Sequence, residues 1–275
     1  DVQLDEASHE MTVTGLGGNI LAKKAELFIG NAGTAARFLS AFLTLGNGEY
    51  ILDGEPRMRE RPIGDLVEAL AQLGATIQPS SLSHHPSQIC PPIKITALGL
   101  PGGKTKIAGN ISSQFLSALL MVAPYAQSPI EIELTTDLNS KPYVDMTLAV
   151  MKDFGLEVQS KSYQSFTIPL TTYHLPLTTY PIESDASAAS YFFAAPAICG
   201  GTVRVENISR NSKQGDIAFL DVLQQTGCTV QETGNSIRIT GHSPLHGIDI
   251  DMRDIPDTAQ TLAAIAPFAD SPTRI

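Results

Sequence analysis

The sequence predicts a mixed α/β (α+β) fold made of repeated units and divided into two domains, on three observations. Four nearly uninterrupted apolar helical segments recur at close to constant spacing. An amphipathic helix follows each of the first three at a fixed distance. Alternating, β-type stretches fill the intervals, and such layered patterning builds helices packed on sheets.

The apolar segments open at Thr34, Ser113, Ser187 and Thr258, each after a small or hydroxyl residue, and the steps between them are 79, 74 and 71 residues. A period of that kind marks a duplicated supersecondary unit. Being apolar nearly all round, these inner helices are expected to be enclosed by other elements. Outer helices are expected at Ile63 to Leu73, Val144 to Phe154 and Ile217 to Thr226, each closed by a glycine (Gly74, Gly155, Gly227) suited to a left-handed cap. Strands are expected at Tyr50-Ile51-Leu52, Ile130 to Leu134 and Thr202 to Val205. Further strands should start just after the closing glycines, at Leu156-Glu157-Val158 and Cys228-Thr229-Val230. The fourth unit starts with its inner helix and ends as its strand begins at Thr273, so the chain is expected to be an internal piece of a longer protein. Proline, threonine and leucine thicken at 169–172 and 176–179, which suggests a first domain over 1–182 and part of a second over 183–275.

Composition narrows the function classes. The 275 residues are 43% hydrophobic, enough for a sizeable core, and carry a net charge of -10 with a pI near 5.0. Such a surface repels nucleic-acid phosphates and anionic membranes, so neither is an expected partner. No apolar run reaches the roughly 18 residues of a membrane span, and no signal peptide opens the chain, so a cytoplasmic location is expected. Cys90, Cys199 and Cys228 are too scattered for a metal site and odd in number, and read as free thiols. His84 and His85 are the only paired histidines and read as a solvated loop, and Gly15 to Gly18 closes a strand as a turn, not a dinucleotide fingerprint.

Anion binding is the chemistry this layout offers, because helix N-termini present free N–H groups and a positive dipole end. Gly30-Asn31-Ala32-Gly33-Thr34 opens the first inner helix and Ser112-Ser113-Gln114 the second. Taken singly, Thr34 and Ser112 read as N-caps; the serine doublet with Gln114 adds ligand-binding capacity. The loops entering the outer helices carry Arg57, Arg59 and Arg61, then Ser140-Lys141-Pro142-Tyr143, then Ser212-Lys213-Gln214-Gly215-Asp216. Arg57 and Arg59 read as solvated residues balanced by Glu55 and Glu60, whereas Arg61, just before a proline at a helix start, is a candidate anion ligand. Asp257 and Asp185 precede the fourth and third inner helices, each readable as an N-cap or as a carboxylate facing the anion site, where Asp257 would be a candidate general base.

The strings GNAGTAARFL from Gly30, GEPRMRERPIGDLVEAL from Gly54, GNISSQFLSALLMVAP from Gly109, SKPYVDMTL from Ser140, ESDASAASYFFAA from Glu183, RNSKQGDIAF from Arg210 and DIPDTAQTLA from Asp254 together resemble the bacterial type of 5-enolpyruvylshikimate-3-phosphate synthase. The resemblance runs from about Leu27 to the end of the chain. It implies two pseudo-threefold domains, each an inside-out α/β barrel of repeated units with helix N-termini facing a cleft, the second domain being incomplete here. It also implies enolpyruvyl transfer from phosphoenolpyruvate to the 5-hydroxyl of shikimate 3-phosphate, in the shikimate pathway of aromatic amino acid biosynthesis, with no metal or organic cofactor and a monomeric state. Motif by motif, Ser112, Ser113, Gln114, Ser140 and Tyr143 would contact shikimate 3-phosphate. Gly33, Arg61 and Gln114 would contact phosphoenolpyruvate, and Asp257 would accept the proton of the attacking hydroxyl. Phe38 stands where many members carry proline, which bears on tolerance of the glyphosate class of inhibitors. The family's N-terminal lysine-serine-arginine motif and its later basic residues have no counterpart, so the chain alone is expected not to turn over substrate. A sister family acting on UDP-N-acetylglucosamine carries a reactive cysteine in the loop that here runs from Gly54 to Arg61 without one. A non-catalytic anion-binding or assembly module of the same fold is the alternative.

Overall fold

The computed structural model describes residues 2–80, 88–170 and 179–275; the His84-His85 pair and residues 171–178 of the predicted boundary lie outside them. Contacts divide the chain into two compact units, Asp1–Leu138 with Leu156–His174, and Asn139–Gly155 with Leu175–Ile275. An antiparallel hairpin of β1 (Val2–Asp5) and β2 (Glu10–Val13) opens the first unit and is exposed on every residue. The first repeat follows as β3 (Lys24–Phe28), α1 (Gly33–Phe42), β4 (Asn47–Asp53), α2 (Gly64–Gln72), β5 (Thr76–Pro79) and β6 (Ile93–Leu98). Its sheet has the order β3-β4-β6-β5, with β3 and β4 parallel and the other pairs antiparallel.

The second repeat has the same order in the chain: β7 (Gly103–Ile107), α3 (Ser113–Val122), β8 (Ile130–Leu134), α4 (Lys141–Asp153), β9 (Gln159–Lys161) and β10 (Ser165–Ile168). Its sheet, β7-β8-β10-β9, repeats the topology, including the parallel β7–β8 pair. Helix α4 belongs by contact to the second unit. That unit continues with α5 (Ala186–Cys199), β11 (Gly201–Glu206), α6 (Phe219–Gln225), β12 (Thr229–Glu232), β13 (Ser236–Gly241) and α7 (Ala259–Ile265), and its sheet runs β11-β13-β12. Among the described residues this sheet has only antiparallel pairs, without the parallel pair of the first two. The fourth repeat contributes α7 and two isolated bridges, Leu245 to Ala269 and Asp249 to Arg274.

Periodicity accounts for the helices. The predicted inner helices are α1, α3, α5 and α7, and the outer ones are α2, α4 and α6 with its preceding 3-10 turn. Gly74, Gly155 and Gly227 all have positive φ, and at Gly74 and Gly227 paired bonds (Ala75 N to Leu70 O, 3.0 Å; Cys228 N to Leu223 O, 3.0 Å) close the helix as a Schellman motif closes it. One strand starts later than predicted: Leu156 to Val158 are irregular and β9 begins at Gln159, where pairing with β10 becomes available. Enclosure of the inner helices is also incomplete. α1 packs on α3, and α5 on α7, so each covers one face of its neighbour while Phe42, Met121, Tyr191 and Phe192 stay exposed. The first unit's core joins Tyr50, Leu52, Ile63, Leu66, Ile93, Phe115 and Ile132; the second joins Phe193, Phe219, Leu220, Leu223, Ile237 and Leu262. No helix among the described residues is long and apolar enough to cross a membrane. All three cysteines are free, as expected.

Candidate functional site

Parallel pairing places the first cluster. Because β3 and β4 run the same way, the turn after β3 and the loop after β4 leave the same end of the sheet. The turn carries Gly33 to the N-terminus of α1; the loop carries Arg57, Arg59 and Arg61. Close backbone approach locks the two together: Glu55 N donates to Gly30 O at 3.1 Å, and a Cβ on Gly54 would lie 2.4 Å from that same oxygen. The β7–β8 pair does the same for Ser112-Ser113-Gln114, with Gly109 N and Asn110 N donating to Thr136 Oγ1 at 3.0 and 3.1 Å.

Gly33, Arg61 and Gln114 come together at the start of α1. A Cβ on Gly33 would lie 2.6 and 2.7 Å from Arg61 Nη1 and Nη2, and 2.5 Å from Arg37 Nη1. Gln114 Nε2 donates to Thr34 Oγ1, one residue along α1, at 3.2 Å. Two guanidinium groups thus meet over the first residue of a helix. Arg37 is 93% buried; its Nη1 donates to Gly33 O at 2.8 Å, its Nε has no hydrogen-bond partner, and its Cζ lies 5.8 Å from the Phe115 ring centroid. Burial, then repulsion by Arg61, lowers its pKa. Among the described residues no carboxylate pairs with Arg37 or Arg61, whereas Arg57 is held by Glu60 and Arg59 by both oxygens of Asp53. An unneutralised cation pair beside a helix N-terminus and free N–H groups is an anion cradle.

Cap assignments divide. Ser112 caps α3 by accepting from Gln114 N at 3.3 Å, and Asp185 caps α5 by accepting from Ala188 N at 2.9 Å. Thr34 does not cap α1: it lies inside the helix and accepts from Gln114 instead. Asp257 is no cap either. It sits exposed in the 3-10 turn Pro256–Thr258, and neither that turn nor α7 receives a side-chain cap.

In the second unit Ser140 precedes α4 in a left-handed conformation (φ 54°), its Oγ donating to Arg253 O at 3.2 Å. Tyr143, in the first turn of α4, donates its phenol proton to Asp216 Oδ1 at 2.8 Å. Ser187 Oγ donates to the other oxygen, Asp216 Oδ2. Burial first, then the Asp216 and Asp257 carboxylates, raise the Tyr143 pKa well above the ordinary phenol value, against an opposing hydrogen bond from the Asp257 backbone. Burial also raises Asp216, reinforced by Asp257 and Asp185 and opposed by the two hydroxyls. Tyr143 therefore stays a proton donor. Around it the third loop is satisfied internally: Ser212 Oγ and Gln214 Nε2 both reach Glu183, and Lys213 pairs with Asp153.

Arg37 and Asp216 were not singled out from the sequence, although each left a signal. Arg37 is the only charge in the first inner helix, four residues after Gly33, where one helical turn returns its side chain to Gly33. Asp216 follows Gly215, whose lack of a side chain is required because a Cβ there would lie 2.3 Å from Pro142 Cβ.

Comparison with known proteins finds relatives of this chain. The 3-phosphoshikimate 1-carboxyvinyltransferase of Sulfurovum sp. (strain NBC37-1) is 48% identical over 273 residues, 99% of this chain and 62% of that protein. The enzyme of the same name from Shewanella denitrificans is 49% identical over 272 residues, 98% of this chain and 62% of its own length. The chain thus spans less than two thirds of the length of these relatives. A structure of EPSP synthase from Acinetobacter baumannii superposes with a TM-score of 0.67 at 23% identity, covering 91% of this chain and 56% of that one, which shows a shared fold. The model of the family described as EPSP synthase (3-phosphoshikimate 1-carboxyvinyltransferase) matches residues 1–275, and the chain belongs to that family.

Proposed function

We propose that the chain carries binding residues for enolpyruvyl transfer from phosphoenolpyruvate to the 5-hydroxyl of shikimate 3-phosphate, with phosphate released. One observation carries the reading: Arg61 and the buried Arg37 converge on Gly33, and among the described residues no carboxylate neutralises them. In this reading Gly33, Arg61 and Gln114 hold the carboxylate or phosphate of phosphoenolpyruvate. Ser112, Ser113 and Gln114 contact shikimate 3-phosphate, as do Ser140, Tyr143 and Asp257. Asp257 accepts the proton of the attacking hydroxyl, and its exposure suits a group that must release that proton to solvent. Catalysis would then rest on prepositioned charge and dipoles aimed at the transferring group. By repeat order, residues 1–182 form the shikimate-phosphate-binding half, as an inside-out barrel of repeats, and 183–275 part of a second domain. A cytoplasmic monomer is the proposed state.

Calorimetric titration of the chain with shikimate 3-phosphate and with phosphoenolpyruvate tests this. The reading expects Ser113→Ala and Gln114→Ala to weaken the first ligand and Arg61→Ala the second. Binding indifferent to all three changes would favour a non-catalytic anion-binding module.

A further inference from the structure

Asp216 is a carboxylate that the reaction as read above does not use, yet it is 97% buried, and burying a carboxylate is unfavourable unless its lone pairs are met. Both oxygens are met, by hydroxyls from two different helices: Tyr143 in the first turn of α4 and Ser187 in the first turn of α5. A third tie joins the same elements, since Gln214 Oε1 accepts from Ala186 N at 2.7 Å, and the Gly215–Pro142 contact leaves no gap between the loop and α4. Two hydroxyls donating to one rigid carboxylate fix the direction of each donor.

We propose that Asp216 is a positioning residue that clamps the phenol of Tyr143 to the N-terminal turn of α5 through Ser187, holding the ring ready for its ligand. The inference rests on Tyr143 as a contact for shikimate 3-phosphate, but the clamp itself does not. The carboxylate acts only as a double acceptor in this role, and no proton leaves Tyr143. Asn in the same place still accepts from Tyr143 and can donate to Ser187, whereas Ala removes the acceptor that both hydroxyls share.

The chain, labelled with 3-fluorotyrosine, provides a reading independent of substrate; the Tyr143 fluorine resonance is identified among the seven tyrosines by its loss in Tyr143→Phe. The clamp expects that resonance to shift or broaden in Asp216→Ala, to stay close to its original position in Asp216→Asn, and to move in Ser187→Ala although Ser187 does not hydrogen-bond Tyr143. A Tyr143 resonance indifferent to Asp216→Asn, Asp216→Ala and Ser187→Ala alike overturns the proposal. If Asp216→Ala does not fold, Ser187→Ala decides alone. Titration with shikimate 3-phosphate then separates the clamp from the function: Asp216→Ala is expected to weaken binding by about tenfold, the size of one hydrogen bond to a charged group, and by under about twofold in a Tyr143→Phe background. Equal losses in the two backgrounds overturn the proposal. No binding by the unsubstituted chain, with the fluorine shifts as expected, rejects the substrate reading and leaves the clamp standing.

Discussion

Gly33→Ala tests the anion cradle most directly, because the new methyl group enters the space where two cations meet. Its carbon would start 2.5 Å from Arg37 Nη1 and 2.6 Å from Arg61 Nη1, against about 3.4 Å for ordinary contact. Both guanidiniums must therefore give way, Arg37 by about 0.9 Å and Arg61 by about 0.8 Å, the differences between those figures. The obstructing atoms are the ends of long side chains, so the fold can yield, and alanine is about 1 kcal/mol better than glycine within a helix. Stability should change little. Anion binding should not be spared, because a charge-assisted hydrogen bond near 2.8 Å does not survive such a displacement. Losing one is worth about 1.5–3 kcal/mol, or roughly 10- to 150-fold in affinity. Titration of both proteins with phosphoenolpyruvate, alongside thermal unfolding, reads the two effects separately. An affinity within twofold of the original, with an unchanged melting temperature, would refute the claim that the guanidinium pair makes the site.

Three other outcomes are expected. Gly215→Ala presses a methyl group against Pro142, which has no flexible end to withdraw, so chemical denaturation should show the second unit destabilised by about 1–3 kcal/mol, unlike Gly33→Ala. Asp216 has its pKa raised by folding, so its charge weakens the folded state once pH rises past the ordinary aspartate value of 3.8, and the penalty is complete above the folded-state value. Stability measured against pH should show Asp216→Asn gaining on the parent as pH rises from below 3.8 and then levelling off; a gain that shrinks with rising pH contradicts the burial argument. Thiol labelling should be fast at exposed Cys199 and slow at Cys90 and Cys228, whose burial raises their pKa values, and three equal rates would contradict the packing.

Period and punctuation made most of the fold legible. Apolar runs at a steady interval identify α1, α3, α5 and α7, and the closing glycines locate the ends of α2, α4 and α6, because both signals are local in the chain. Ser112 as a cap could likewise be argued from its neighbours in the chain. The departure at β9 has the opposite origin, since a strand exists only where a partner offers its backbone, and Leu156 to Val158 have none.

Local chemistry could say which residues suit an anion; it could not say which cations would be neutralised. Arg59 and Arg61 are two residues apart in one loop, yet Asp53 takes the first and Gly33 receives the second, a difference set by the direction in which each side chain leaves the turn. Arg37 is a lone charge in the apolar sequence of α1 whose surroundings come from the packing of α1 on α3, and Asp216 has hydroxyls at both its oxygens because α4 and α5 bring them there. Repeats and helices are written into the chain locally, because hydrophobic period and capping act over a few residues. Which charges are buried, paired or left without a counter-ion is fixed by packing, because burial and ion pairing depend on residues that folding brings together from distant parts of the chain.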